Sequence, residues 1–175
     1  MPIPHARRMH ARWVVLSLLM VVCGNNEGAP TETKTTLGWV EKVRISPGEI
    51  VLAAKLDTGA DHSSLHASQI TVFRRAGKKW VTCVIDNGEG QRVTIELPLV
   101  RTARIRRHGG SYEERPVVRL QVCVKDTLRE AEVNLVDRAA MEFRMLIGRS
   151  FMKDHIVVDP SVEFTSEPEC GKRGK

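Results

Sequence analysis

At 175 residues, 42% of them hydrophobic, the chain has material for one small domain with its own core and not for two. The net charge of +6 comes with only 5% aromatic residues and no nucleic-acid-binding motif, which argues against DNA or RNA as partner. Arg7, Arg8 and Arg12 precede an apolar run of ten residues, 13–22, too short to cross a bilayer comfortably. Residues 1–23 therefore read as an export signal, which sends the chain to the periplasm or the cell envelope. Cys23, followed by Gly24-Asn25-Asn26, offers a site for lipid attachment to the membrane. Met20-Val21-Val22 departs from the small residues expected before such a cysteine, so soluble export and lipid anchoring both stand open.

Residues 24–36 are polar, with Thr, Glu, Gly and Pro and little to bury, and read as a flexible linker. The domain, residues 37–164, is dominated by strand signals. Residues 37–45 and 49–56 flank the turn Ser46-Pro47-Gly48, and residues 79–85 and 92–97 flank a turn at Asp86-Asn87-Gly88-Glu89-Gly90. Arg101, Arg104, Arg106 and Arg107 form a basic cluster, read as a solvated strand face or a contact for an acidic peptide or anionic surface. Residues 115–125 alternate, with Val117, Leu120, Val122 and Val124 as core candidates, and residues 130–136 follow as a further strand. After Met145-Leu146-Ile147-Gly148-Arg149, residues 150–154 read as a short helix and residues 156–159 as a strand stopped by Pro160. Residues 165–175 read as a disordered basic tail. Helical periodicity is almost absent, so the class is all-β, a small closed β-barrel with one short helix.

The stretch Asp57-Thr58-Gly59-Ala60-Asp61 follows an apolar strand, which is how an aspartic protease presents its catalytic carboxylate. Such an enzyme splits a peptide bond with a water held between two carboxylates about 3 Å apart, which share one proton because both cannot ionise. Gly59 would allow a tight turn and close approach to a symmetry mate, and Thr58 could hydrogen-bond across to the other loop. An ordinary turn after a strand is the simpler reading of the triplet alone. The apolar-apolar-Gly segment near residue 147 and the Arg that follows it resemble the second half of the signature in pepsin-like and retroviral proteases, and the resemblance to the retroviral enzymes implies that Asp61 pairs with Arg149.

His62 and His66 stand four apart beside two aspartates. On a helical turn that spacing could hold zinc, with Asp57 or Asp61 as third ligand and a water as fourth. On a strand or irregular turn the rings diverge, leaving His62 at the surface and His66 packed and hydrogen-bonded near the site. The second arrangement is expected, with no cofactor, and zinc is kept as the alternative chemistry. Cysteines define no framework: Cys83 and Cys123 fall on predicted strands, either paired or buried as thiols, and Cys170 in the tail is expected to be free.

Lys55-Leu56-Asp57-Thr58-Gly59-Ala60, Ser63-Ser64-Leu65-His66-Ala67, Arg115-Pro116-Val117-Val118 and Asn134-Leu135-Val136-Asp137-Arg138, in that order, resemble a bacterial retropepsin-like family often labelled ATP-dependent zinc protease. The match continues from Met141 through Leu146-Ile147-Gly148-Arg149 to Ser161. The resemblance implies a retropepsin-like barrel and an aspartic endopeptidase acting on peptide or isopeptide bonds. Asp57, Thr58 and Gly59 would be its catalytic residues, and Ala60, Asp61, Gly148 and Arg149 would brace the loop. Neither a Gly-rich phosphate loop nor a His-Glu-x-x-His motif is present, so the ATP and zinc of the label find no support in the residues. With a single Asp-Thr-Gly, the second carboxylate must come from another copy, which implies a homodimer sharing its site on a two-fold axis. Retropepsins carry a flap between the two signature elements. The hairpin at Asn87-Gly88 is the first candidate for it, and the turn at His108-Gly109-Gly110-Ser111 the second. A non-catalytic domain that binds a peptide or cell-wall stem is the alternative function.

Overall fold

The structure is a computed structural model describing residues 33–106 and 109–171. The expected leader with Cys23, most of the linker, Arg107, His108 and residues 172–175 lie outside the described residues. Eleven strands and one helix follow in chain order: β1 (Thr35–Ser46), β2 (Ile50–Leu56), β3 (Ser63–His66), β4 (Ser68–Arg75), β5 (Lys78–Asp86), β6 (Arg92–Pro98), β7 (Arg101–Arg106), β8 (Tyr112–Val124), β9 (Thr127–Val136), β10 (Met145–Ile147), α1 (Arg149–Met152) and β11 (Ile156–Glu163). Eight strands pair in the order β11-β1-β2-β10-β3-β9-β8-β7, and an added β1–β8 pairing closes β1, β2, β10, β3, β9 and β8 into a ring. This is the small closed barrel with one short helix that the sequence pattern predicts.

Period-2 alternation explains the ring. Along β2, Ile50, Leu52, Ala54 and Leu56 point inward while the residues between them stay partly exposed. Val43 and Ile45 of β1, Leu65 of β3, Leu120 and Val122 of β8, Leu135 of β9, and Met145 and Ile147 of β10 meet them in one core, each at most 1% exposed. Burying a side chain of this size contributes about 1.5–3 kcal/mol. Strands β4, β5 and β6 form a separate three-stranded sheet whose inner residues Val81, Cys83, Ile85 and Ile95 join the same core.

All four core candidates on β8 are buried; Val118 shares the core face with Leu120, Val122 and Val124, whereas Val117 and Cys123, on the opposite face, are buried as well, which breaks the expected alternation. For Cys123 the cause lies at the far end of the chain. Cys123 is bonded to Cys170, so the tail covers the face of β8 that would otherwise be open. This corrects one expectation, since Cys170 is not free; of the two alternatives for Cys83 the buried thiol holds, its pKa pushed up by burial to about 11.

Residues 165–171 are likewise docked, in contrast to the disordered tail their composition suggested. The carboxylate of Glu41, fully buried in β1, accepts hydrogen bonds from Gly38 N–H (2.8 Å), from the N–H groups of Thr165 and Ser166 (both 3.1 Å) and from both their hydroxyls. A buried charge needs such partners, and the tail supplies most of them. Pro160 does not stop β11 either. Between Gly38 and Val40 the β1–β11 register jumps from Asp159 to Glu163, and Pro160 sits in this irregularity on an edge strand, where its missing N–H costs no ladder bond.

Candidate active site

Asp57 directly follows β2, and its N–H donates to the Ile147 carbonyl (2.8 Å) at the end of β10. Because β2 and β10 pair in parallel, with Ile147 opposite Leu56, the two signature segments are neighbours although some 90 residues apart in sequence. The turn is tight. Ala60 N–H donates to the Asp57 carbonyl (3.1 Å), and Gly59 N–H donates to Asp57 Oδ1 (3.0 Å), orienting the carboxylate. Asp57 is half-buried, whereas Thr58, Gly59 and Asp61 are exposed.

The second segment braces the first along its backbone. Arg149 N–H donates to Ala60 O (2.9 Å), Ser150 N–H to Asp61 O (3.0 Å), and Gly148 N–H to the buried Ser63 hydroxyl (3.2 Å). Only glycine allows this approach, since a Cβ at residue 148 would lie 2.6 Å from the carbonyl carbon of His62. The Arg149 guanidinium then clamps the loop from outside, reaching Asp61 Oδ1 at 2.8 Å and the Thr58 carbonyl at 2.9 Å. Asp57, Thr58, Gly59, Ala60, Asp61, Gly148 and Arg149 are thus gathered in one place. The hydroxyl of Thr58 finds no partner among the described residues.

His62 and His66 do not come together. Residues 63–66 form β3 rather than a helical turn, so His62 is exposed while His66 is 2% exposed. His66 Nδ1 accepts from Arg138 N–H (2.9 Å), and Nε2 faces Asp86 Oδ2 at 3.1 Å, so both ring nitrogens are engaged by protein groups. This is the packed, hydrogen-bonded histidine expected from a strand.

The preferred flap candidate lies in the wrong part of the barrel. Asn87 Nδ2 donates to Val51 O, near the start of β2, six residues before Asp57 and so roughly 20 Å from it at a strand's rise per residue. The β7–β8 hairpin stands beside the Asp57 loop instead. Arg101, Ala103 and Ile105 of β7 and Arg115 and Val117 of β8 wall a hollow of about 240 Å³ together with Ala60, Asp61 and His62. The tip of this hairpin is the second flap candidate, with His108 outside the described residues.

Several residues of that hollow escaped the sequence reading of the site. Arg138 is 8% exposed, its Nε donates to the Phe143 carbonyl (3.0 Å), and no carboxylate pairs with it among the described residues. Burial and the neighbouring Arg115 lower its pKa, while the charge of Asp57 acts in the opposite direction. Asn134 bridges the walls, donating to Ser63 O (2.7 Å) and accepting from Arg115 (3.3 Å). Ser64 Oγ is buried without a hydrogen-bond partner. All three belong to blocks that the family resemblance singled out, but nothing in the sequence says that they converge.

Comparison with known proteins agrees with this fold. A Legionella pneumophila protein of unknown function shares the fold at a TM-score of 0.67 and 30% identity, over 77% of this chain and all of that one. Proteins named "Probable alpha-L-glutamate ligase" from Desulfotalea psychrophila and Shewanella pealeana are 33% identical over 115 and 120 residues, or 64% and 67% of this chain. The chain spans about a quarter of the length of these curated relatives. Residues 36–169 match the RimB-like family, described as retropepsin-like aspartic endopeptidase, and with the braced Asp-Thr-Gly loop in view the chain belongs to that family.

Proposed function

We propose that the chain is an exported aspartic endopeptidase working as a two-fold homodimer, with one Asp57 contributed by each copy. The observation that carries this reading is an Asp57 carboxylate oriented by Gly59 N–H on an exposed loop that Arg149 clamps at Asp61, in a domain holding only one Asp-Thr-Gly. A second loop across the axis would complete the site and give the Thr58 hydroxyl its partner. The ionised carboxylate takes a proton from the water as its oxygen attacks the carbonyl carbon, and the protonated one gives its proton to the carbonyl oxygen. Collapse of the tetrahedral species then releases the amine, which carries off a proton. No metal or cofactor enters these steps, and hydrolysis follows a bell-shaped acid-to-neutral pH profile. The β7–β8 hairpin would cover the bound peptide.

Two observations favour finer points. A disulfide between Cys123 and Cys170 suits an oxidising compartment, in keeping with the export expected from residues 1–23. The ligase name of the longer relatives and the arginines around the hollow favour a glutamate-rich peptide as substrate.

The test is a mixture of active chains with Asp57→Asn chains under subunit exchange, assayed on a peptide library. Asp57→Asn alone should be inactive and folded, and mixed dimers inactive or nearly so. Activity tracking the number of parent chains would overturn the shared site, and a loss under about tenfold in Asp57→Asn would overturn the aspartic mechanism.

A further inference from the structure

Buried hydroxyl groups are normally satisfied, so one left open near a reactive carboxylate calls for an explanation. Three arginines line the hollow next to Ala60, Asp61 and His62. Arg101 is neutralised by Glu132 at 3.0 Å and Arg115 by Glu113 at 2.7 Å. Arg138 has no carboxylate within ion-pair distance among the described residues, although the charge of Asp57 acts on it; it adjoins Arg115, and of its guanidinium nitrogens only Nε has a hydrogen-bond partner there, the Phe143 carbonyl. Its remaining N–H donors suit a carboxylate. Ser64 Oγ provides a second, independent sign, since it lines the same hollow, is buried, and has no partner. At about 240 Å³ the hollow is smaller than the ~300–1,000 Å³ of ordinary ligand pockets, which fits one side chain or chain end rather than a whole small molecule.

We propose that Arg138 and Ser64, with Arg115 beside them, form a carboxylate-binding subsite that selects the residue flanking the bond cut at Asp57. The inference rests on the peptidase reading and deepens it by naming the residues that set specificity. His66 is a positioning residue here, because its Nδ1 holds the Arg138 N–H and its Nε2 is anchored on Asp86. The carboxylate has two possible sources, the side chain of an internal Glu or Asp and the free end of a peptide.

The experiment compares kcat/KM for three peptides: one with Glu flanking the cleaved bond, its Gln counterpart, and the Glu peptide with an amidated C-terminus. The parent should prefer Glu over Gln by at least about tenfold, as loss of a charge-assisted hydrogen bond implies. If the chain end is the source, amidation rather than Gln removes the preference, and the subsite stands. Arg138→Gln should bring the ratio near one, with Arg138→Lys restoring part of it. Ser64→Ala should lower the ratio while leaving the melting temperature unchanged or higher, because it removes an unsatisfied buried hydroxyl; this keeps the test decisive should Arg138→Gln misfold. Parent enzyme indifferent to both carboxylates, or Ser64→Ala and Arg138→Lys with the parent's ratio, would overturn the subsite. Binding of the same peptides to the Asp57→Asn chain separates this outcome from failure of the peptidase reading: tighter binding of the Glu peptide upholds the subsite even if no peptide is cut, and equal binding overturns it.

Discussion

Replacing Gly148 with alanine is expected to cost the domain about 3–5 kcal/mol, most of its margin if total stability is near the lower end of the usual 5–15. The added Cβ would stand 2.6 Å from the carbonyl carbon of His62, 2.7 Å from its oxygen and 2.9 Å from the Asp61 carbonyl oxygen. All three are backbone atoms, so no flexible side chain can swing aside and the two segments must part. Forcing a methyl group into such a contact costs about 1–3 kcal/mol. Parting them also weakens the hydrogen bonds from Arg149 N–H to Ala60 O and from Ser150 N–H to Asp61 O, each contributing about 1 kcal/mol. Urea unfolding followed by circular dichroism should show a lowered midpoint at unchanged slope. Gly59→Ala is the contrast, because its Cβ would meet only Asp57 Oδ1, at 3.2 Å, on an exposed turn. That variant should lose less than about 1 kcal/mol of stability while activity falls at least about tenfold through displacement of the carboxylate. A Gly148→Ala protein within about 1 kcal/mol of the parent would refute the claim that the two segments are held at backbone contact.

The Asp61–Arg149 pair is 72% and 52% exposed, so a double-mutant cycle of Asp61→Asn and Arg149→Ala should give a coupling below about 1 kcal/mol; a coupling above about 2 would mean that the pair is shielded from water. Cys170→Ser, or reduction, removes a cross-link spanning 47 residues and frees the groups that solvate Glu41. Thermal unfolding should register a loss approaching the ~4 kcal/mol of the chain-entropy model, and an unchanged melting curve would mean that the tail is not held by this bond. The buried Cys83 thiol, raised from 9.0 to about 11, favours its protonated form in the fold. Its stabilising contribution is therefore complete below pH 9 and lost as the pH climbs through about 11. Cys83→Ala should flatten that alkaline decline in stability, and native protein at pH 8 should resist thiol reagents; rapid labelling under those conditions would contradict the burial.

What the sequence determined by itself follows from interactions that are local or periodic. Alternation places Ile50, Leu52, Ala54 and Leu56 on one face whatever strand lies beside them, and Asp57-Thr58-Gly59 with Leu146-Ile147-Gly148-Arg149 carries the site's chemistry in its residue types. Period 2 thereby made the all-β class legible, and the paired motifs made the braced loop legible. Short β3 was not, because Ser63, Ser64, Leu65 and His66 are all buried and show no alternation to read.

Only the tertiary structure decided where distant segments meet. Composition marks residues 165–171 as part of a disordered tail, yet Thr165, Ser166 and Cys170 are held by Glu41 and Cys123, partners more than 40 residues away that no local pattern announces. The two glycine-rich turns are equivalent as sequence; pairing of β7 with β8 and the bond from Asn87 to Val51 send them to different parts of the barrel. Arg138 and Ser64 look like a surface charge and an ordinary strand serine until the parallel pairing of β3 with β9 brings both to the hollow beside Ala60, Asp61 and His62. Burial gives Ser64 its chemistry, since a hydroxyl removed from water lacks a partner that the chain does not supply, and a place in the wall of the hollow gives Arg138 its own, with donors left over for an anion.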